Sequence, residues 1–240
     1  MTDSPVMQVA PARCRDGEQS RSFSTAELVR AIDHTCLRAD ADRGEIIACC
    51  REAREHGFYA VCVNSGNVAL CAAELEGSKT VVCGVVGFPL GATSSRAKAY
   101  EASEAVRAGA AEIDMVMNRG LFKSGDYGGV VEDVRAVVEA VKPAAVKVII
   151  ETAGLDAEGK VIACVLAKVA GASFVKTCTG FGGGGATVED VVLMKRVVGP
   201  RVAVKASGGI RTRDQACAML EAGASRIGTS AGVTIVGDSD

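Results

Sequence analysis

From about residue 24 onward, short apolar runs alternate with longer stretches in which apolar residues recur every three or four positions. The short runs read as buried strands and the 3.6-residue period as amphipathic helices. Strands are expected at 31–35, at 59–63, in TVVCGVVG from Thr80, at 112–117, at 146–151, in the run that ends at Lys176, at 201–206 and at 225–228. Helices are expected between them. Ser24 caps a short opening helix, and Asp42 with Glu45 forms a capping box for a helix that stops near Gly57. Further helices run to about residue 76, then over 96–108, 130–141, 156–170 and 187–198, the last stopped by Gly199 and Pro200. Thr212 and Gln215 cap one more, ending before Gly223, and a short helix follows the last strand. Ala-Gly-Ala recurs at 108–110, 170–172 and 222–224, each time between a helix and a strand, where glycine takes the left-handed turn.

Eight strands alternating with helices predict an α/β protein, a single closed (β/α)8 TIM barrel with a short N-terminal helix, spanning 23–240. A doubly wound open sheet is the alternative. Residues 1–22 read as a polar, flexible tail without the apolar core of a secretory signal.

A barrel interior is normally filled by branched apolar side chains, and successive side chains point alternately to lumen and helices. That parity finds charges in the wrong place. In EIDMVM, Ile113, Met115 and Met117 share one face and Asp114 lies on the other. Val175 faces outward, so Lys176 faces inward; Val202 and Val204 face outward, so Lys205 faces inward. Cys62 and Asn64 share the lumen face of the second strand, and Asp33 interrupts the first. Lys176 and Lys205 sit on neighbouring strands, about 5 Å apart. Two ammonium groups that close, away from water, push one pKa down, and a neutral lysine attacks carbonyls to give a Schiff base. Asp114 could move protons between them. His34 beside Asp33 reads as structural, His56 as a helix-end residue, and Cys62 as core that borders the pocket.

The longest polar interruption is FVKTCTGFGGGGATVED, residues 174–190. Thr187 and Asp190 look like a capping box. Gly180 to Gly185 match G-x-G-x-x-G, but the strand that follows ends in Lys205 rather than in the acid a dinucleotide site needs. A mobile or ligand-hugging loop fits the glycines better. Ser207, Gly208 and Gly209 after the seventh strand, and Gly228, Thr229 and Ser230 after the eighth, stand where barrels often bind phosphate.

Composition narrows the classes. A net charge of -2 gives no sign of nucleic acid or an anionic membrane as partner. No apolar run approaches the roughly 18 residues needed to span a bilayer. Ten cysteines without a C-x-x-C pair, and only two histidines, argue against a zinc cluster or a disulfide scaffold and for reduced thiols.

EIDMVMNRG with Asp114, FVKTCTGFG with Lys176 and VKASGGIR with Lys205 resemble the deoxyribose-phosphate aldolase family. IDHTCL, VCVN, GVVGFPLGA and RIGTSAG resemble further segments of that family in the same order, so the likeness runs from about 24 to 236. The resemblance implies a class I aldolase with no metal or other cofactor. Such an enzyme cleaves 2-deoxy-D-ribose 5-phosphate reversibly to acetaldehyde and D-glyceraldehyde 3-phosphate. It implies that Lys176 is the Schiff-base lysine, that Lys205 lowers its pKa and that Asp114 takes part in proton transfer. By the same likeness Gly208, Gly209 and Ser230 lie near the substrate phosphate, and Thr179 and Gly180 beside the substrate. A cytoplasmic role in nucleoside catabolism and a homodimer or homotetramer are also implied. The chain departs from some relatives in two places: Ser230 is followed by Ala231 rather than a second serine, and the end, VGDSD, has no tyrosine.

Overall fold

The structure, a computed structural model, describes residues 23–237; the tail expected at 1–22 lies outside the described residues. Eight parallel strands close into a barrel in chain order. They are β1 (Ile32–Cys36), β2 (Ala60–Asn64), β3 (Val81–Val86), β4 (Glu112–Val116), β5 (Ala145–Ile149), β6 (Phe174–Lys176), β7 (Ala203–Ser207) and β8 (Arg226–Thr229). Pairing of Ile32, Asp33 and His34 with Ile227, Gly228 and Thr229 joins β8 to β1, which removes the open-sheet alternative.

The connecting helices are α1 (Thr25–Ala31), α2 (Arg43–His56), α3 (Val68–Glu74), α4 (Ser95–Arg107), α5 (Arg119–Lys123), α6 (Tyr127–Val141), α7 (Ala157–Val169), α8 (Val188–Val198), α9 (Arg213–Glu221) and α10 (Gly232–Gly237). The capping boxes expected at Asp42 and Thr212 form with both of their hydrogen bonds, and the expected cap at Ser24 forms as a full box with Glu27. The one expected at Thr187 is one-way: Thr187 accepts from the Asp190 N–H, but the Asp190 carboxylate turns to Lys160 at 2.6 Å. The sequence pattern gave no sign of α5, which is a single turn held by the Asn118 side chain on the N–H groups of Gly120 and Leu121. Gly109, Gly171 and Gly223 of the three Ala-Gly-Ala repeats all take positive φ, as the helix-to-strand turns require.

The outward faces of the strands follow parity. Ile113, Met115, Val146, Val148, Val175, Val204 and Ile227 are buried in one cluster with helix residues such as Val134, Val137, Ala163 and Met194. Each such side chain contributes about 1.5–3 kcal/mol by leaving water. The lumen is different. One side holds a small apolar cluster of Leu37, Ala60, Cys62, Cys83 and Val85. Beside it lies a group of charged side chains.

Candidate active site

Parity brings Asp33, Glu112, Asp114, Lys147, Lys176, Lys205 and Arg226 into the barrel interior, all of them buried. The register pairs Lys176 directly with Lys205. Asp114 lies between them: its Oδ2 accepts from Lys176 Nζ at 2.7 Å and from Lys205 Nζ at 2.7 Å. Its Oδ1 accepts from Lys147 Nζ at 2.8 Å and from the Cys83 thiol at 3.1 Å. Lys205 also donates to Asp33 Oδ2 at 2.5 Å, while Asp33 Oδ1 accepts from Arg226 at 2.8 Å. Glu112 accepts from Lys147 at 2.7 Å and from Arg226 at 3.2 Å. The charges therefore form one connected column. It runs from Arg226 and Glu112, the first residues of their strands, to Lys176, the last of its strand.

Local sequence makes room for this column and fixes it. A Cβ on Gly228 would stand 3.0 Å from Lys205 Cε and 3.0 Å from Ser207 Cβ, so the glycine in β8 leaves room where the lysine passes. Just above the two lysines the Thr177 hydroxyl donates to Ser207 O at 2.8 Å and accepts from Ser207 N–H at 2.9 Å. The Ser207 hydroxyl donates to Cys178 O at 2.6 Å. β6 and β7 are thus tied together where their amines converge.

Electrostatics separates the members. Burial opposes ionisation of Asp114, but the ammonium groups of Lys147, Lys176 and Lys205 outweigh it and hold its carboxyl well below the usual range. Asp33 is lowered too, burial being overcome by Lys205, Lys147 and Arg226. Burial likewise works against the charges on Lys147 and Lys205, yet Asp114 and the other carboxylates raise both above the ordinary lysine value. Four cations, Lys147, Lys176, Lys205 and Arg226, then face three carboxylates, Asp33, Glu112 and Asp114, which leaves one positive charge in excess. Among the described residues two sets of side chains have metal-ligand spacing, Cys62–Cys83–Asp114 and Asp33–Cys83–Glu112. The carboxylates of both already accept from ammonium or guanidinium groups, so a metal there would meet bound cations.

Lys176 ends at a cleft of about 640 Å³ at the carboxyl ends of the strands. Thr179, Gly180, Gly208, Gly209 and Ser230, the expected substrate and phosphate residues, line the same cleft, and so does Arg211. Asp114 and Lys205 lie beneath its floor, fully buried. Cys62 does not border the cleft; its thiol sits in the lumen, 4.0 Å from Asp114 Oδ2. His34 faces away from the lumen, with Nε2 2.7 Å from Glu52 Oε2, and both line a side lobe of the cleft. Burial outweighs the Glu52 contact and lowers the His34 pKa. His56 ends α2 and stacks on Phe58.

Three glycines of the loop pack closely on other segments. A Cβ on Gly182 would meet the Glu151 carboxylate at 2.7 Å, one on Gly184 would strike Ala153, and one on Gly185 would meet Gly208 O at 2.7 Å. These three residues have no room for a side chain because the loop is pressed onto other segments of the chain. Only Gly180 and the half-exposed Phe181 turn toward the cleft, and the Phe181 ring stands edge-on to Phe88.

The sequence reading missed Lys147, Glu112, Arg226 and Glu151. Parity would have found the first three: Lys147 lies between outward Val146 and Val148, Glu112 is two residues before Asp114, and Arg226 precedes outward Ile227. Glu151 follows the strand, where parity no longer applies.

Comparison with known proteins agrees with this geometry. A sequence model described as DeoC/LacD family aldolase matches residues 28–236. Deoxyribose-phosphate aldolase 1 of Bacillus licheniformis is 55% identical over 213 residues, 88% of this chain and 96% of its own. The deoxyribose-phosphate aldolase of Thermotoga petrophila is 58% identical over 218 residues, 90% of this chain and 88% of its own. A tetrameric deoxyribose phosphate aldolase from Aeropyrum pernix superposes with a TM-score of 0.84 at 32% identity, covering 89% of this chain and 91% of that one. Family match, fold and the lysine–aspartate cluster at the cleft lead to one conclusion: the chain belongs to the DeoC/LacD aldolase family and is a carbon–carbon lyase.

Proposed function

We propose that the enzyme cleaves 2-deoxy-D-ribose 5-phosphate reversibly to acetaldehyde and D-glyceraldehyde 3-phosphate through a Schiff base on Lys176. The observation that carries this reading is the pair of amines on a single carboxylate oxygen, Lys176 and Lys205 both on Asp114 Oδ2, at the floor of an open cleft. Lys205 and Lys147 stay charged against their carboxylates. Lys176 has only Asp114 as ion-pair partner among the described residues, and it alone of the four cations reaches the cleft.

The neutral amine of Lys176 adds to the C1 aldehyde of the open-chain sugar, and loss of water gives an iminium. A base takes the C3 hydroxyl proton and the C2–C3 bond breaks. Its electron pair moves into the iminium, giving an enamine and D-glyceraldehyde 3-phosphate. Protonation at C2 and hydrolysis release acetaldehyde and restore Lys176. Asp114, in contact with both amines, and Lys205, as the fixed cation, pass protons to and from the reacting atoms. Gly208, Gly209 and Ser230 hold the phosphate, with Arg211 at the cleft supplying charge, and Thr179 and Gly180 border the sugar carbons. The tetramer of the Aeropyrum pernix relative supports a homo-oligomer. Among the described residues no helix is long and apolar enough to cross a membrane, in keeping with a cytoplasmic enzyme of deoxynucleoside catabolism.

A retro-aldol assay with 2-deoxyribose 5-phosphate in the presence of a chelator tests the reading. It predicts release of acetaldehyde and D-glyceraldehyde 3-phosphate at a rate the chelator does not alter. No acetaldehyde, or a rate abolished by chelation, contradicts it.

A further inference from the structure

Glu151 stands just past β5 with φ 57 and ψ 66, and is the only non-glycine residue with positive φ among the described residues. A side chain in that region is strained and persists only where its surroundings fix it. The residue is 1% exposed. Its carboxylate is spent on one partner. Thr179 Oγ1 donates to Glu151 Oε2 at 2.6 Å, and the Thr179 N–H stands 3.3 Å from each oxygen. Gly182 closes over the carboxylate, where a Cβ would not fit.

The consequence falls on Thr179. A hydroxyl has one proton and two acceptor sites. The proton goes to Glu151, and one acceptor site receives the Phe181 N–H at 3.0 Å. One acceptor site remains on a side chain that lines the cleft with Lys176 and Gly180. Thr179 can therefore accept from a ligand but not donate to it. Between the Schiff-base carbon at Lys176 and a phosphate at Gly208 and Gly209, the substrate groups that pass Thr179 are sugar hydroxyls, which are donors.

We infer that Glu151 is a positioning residue: it fixes Thr179 as an acceptor for the hydroxyl beside the reacting carbonyl of the acceptor aldehyde, and so sets preference for hydroxylated acceptors. This rests on the reading that Lys176 carries the substrate. The test runs the aldol direction with acetaldehyde as donor. The acceptors are D-glyceraldehyde 3-phosphate and 3-phosphooxypropanal, which lacks the 2-hydroxyl. The readout is the ratio of kcat/KM for the two. Glu151→Gly keeps the backbone conformation available, and Thr179→Val keeps the shape of the side chain. Each is expected to lower the ratio about tenfold, the range of one lost hydrogen bond, and the double variant to lower it no further. Glu151→Gln, whose amide oxygen accepts the same proton, retains most of the ratio. Borohydride trapping on Lys176 persists in every variant. An unmoved ratio in Thr179→Val or Glu151→Gly, with both acceptors slowed alike, overturns the role of Glu151 while trapping still upholds Lys176. Absence of the Lys176 adduct in the unaltered enzyme overturns both.

Discussion

Among the described residues two places bury a lysine against an aspartate, and only one of them opens onto the cleft. Between α4 and α6, Lys98 Nζ donates to Asp133 Oδ2 at 2.6 Å and to Val116 O at 3.0 Å, with both side chains fully buried. There one cation meets one anion, and neither lines the cleft. In the lumen, Asp114 Oδ2 is shared by two amines, cations outnumber carboxylates by one, and the top amine opens onto the cleft. A buried lysine is thus no sign of function by itself. An unbalanced charge with access from outside is what separates the proposed reactive site from the structural one.

The largest expected effect comes from removing the accessible amine. Lys176→Ala should lose about 10⁴-fold or more in turnover of 2-deoxyribose 5-phosphate, as removal of a covalent nucleophile does, while thermal unfolding shows a folded protein. Asp114→Asn strips a carboxylate from Lys147, Lys176 and Lys205 together. Turnover should fall by about 10²–10⁴-fold, the range of a lost acid–base group, with a clear drop in Tm. The outer pair should behave in the opposite way. Asp133→Asn leaves Lys98 buried beside a neutral partner and should cost about 3–5 kcal/mol of stability, with kcat of the folded fraction unchanged. Replacing the whole pair, Lys98→Met with Asp133→Leu, should recover most of that loss, leaving about 1 kcal/mol for the unpartnered Val116 carbonyl. Urea unfolding of the single and double variants measures both figures. A fall in kcat for the outer variants equal to that of Asp114→Asn would erase the distinction.

The lumen charges also set a pH window. Asp33 and Asp114 are lowered from the ordinary 3.8, burial being outweighed by the facing cations. The stability they contribute is present above that value and is lost as pH falls through their lower folded values. Lys147 and Lys205 are raised from the ordinary 10.5, burial being outweighed by the carboxylates. Their contribution is complete below 10.5 and is lost as pH rises through the higher folded values. These groups therefore predict a flat Tm from about pH 5 to pH 9, with losses at the acid and alkaline ends. Below about pH 6.5 His34, whose pKa burial lowers, adds its own decline; a steep slope between about pH 7 and pH 9 would mean that the column does not hold these charges.

The barrel was legible because its signals are local and repeated. Capping boxes at Ser24, Asp42 and Thr212, the three Ala-Gly-Ala turns and the strand parity of Val175 and Val204 each depend on neighbours within a few residues. The Lys176–Lys205 pair was legible for the same reason, since parity and strand order place it. Ion pairing was harder to read. That Asp33 joins Lys205 to Arg226, across 172 and 193 residues, depends on the closure of β8 onto β1. The packing of the glycine loop was harder to read, because Gly182, Gly184 and Gly185 answer to Glu151, Ala153 and Gly208 on other segments. α5 escaped because a five-residue turn carries too little periodicity to register.

The most direct measurement is borohydride reduction of the enzyme in the presence of 2-deoxyribose 5-phosphate, followed by peptide mapping. The account predicts a reduced adduct on the peptide that contains Lys176, absent when substrate is withheld. An adduct on the Lys205, Lys147 or Lys98 peptide, or turnover with no adduct at all, would contradict it.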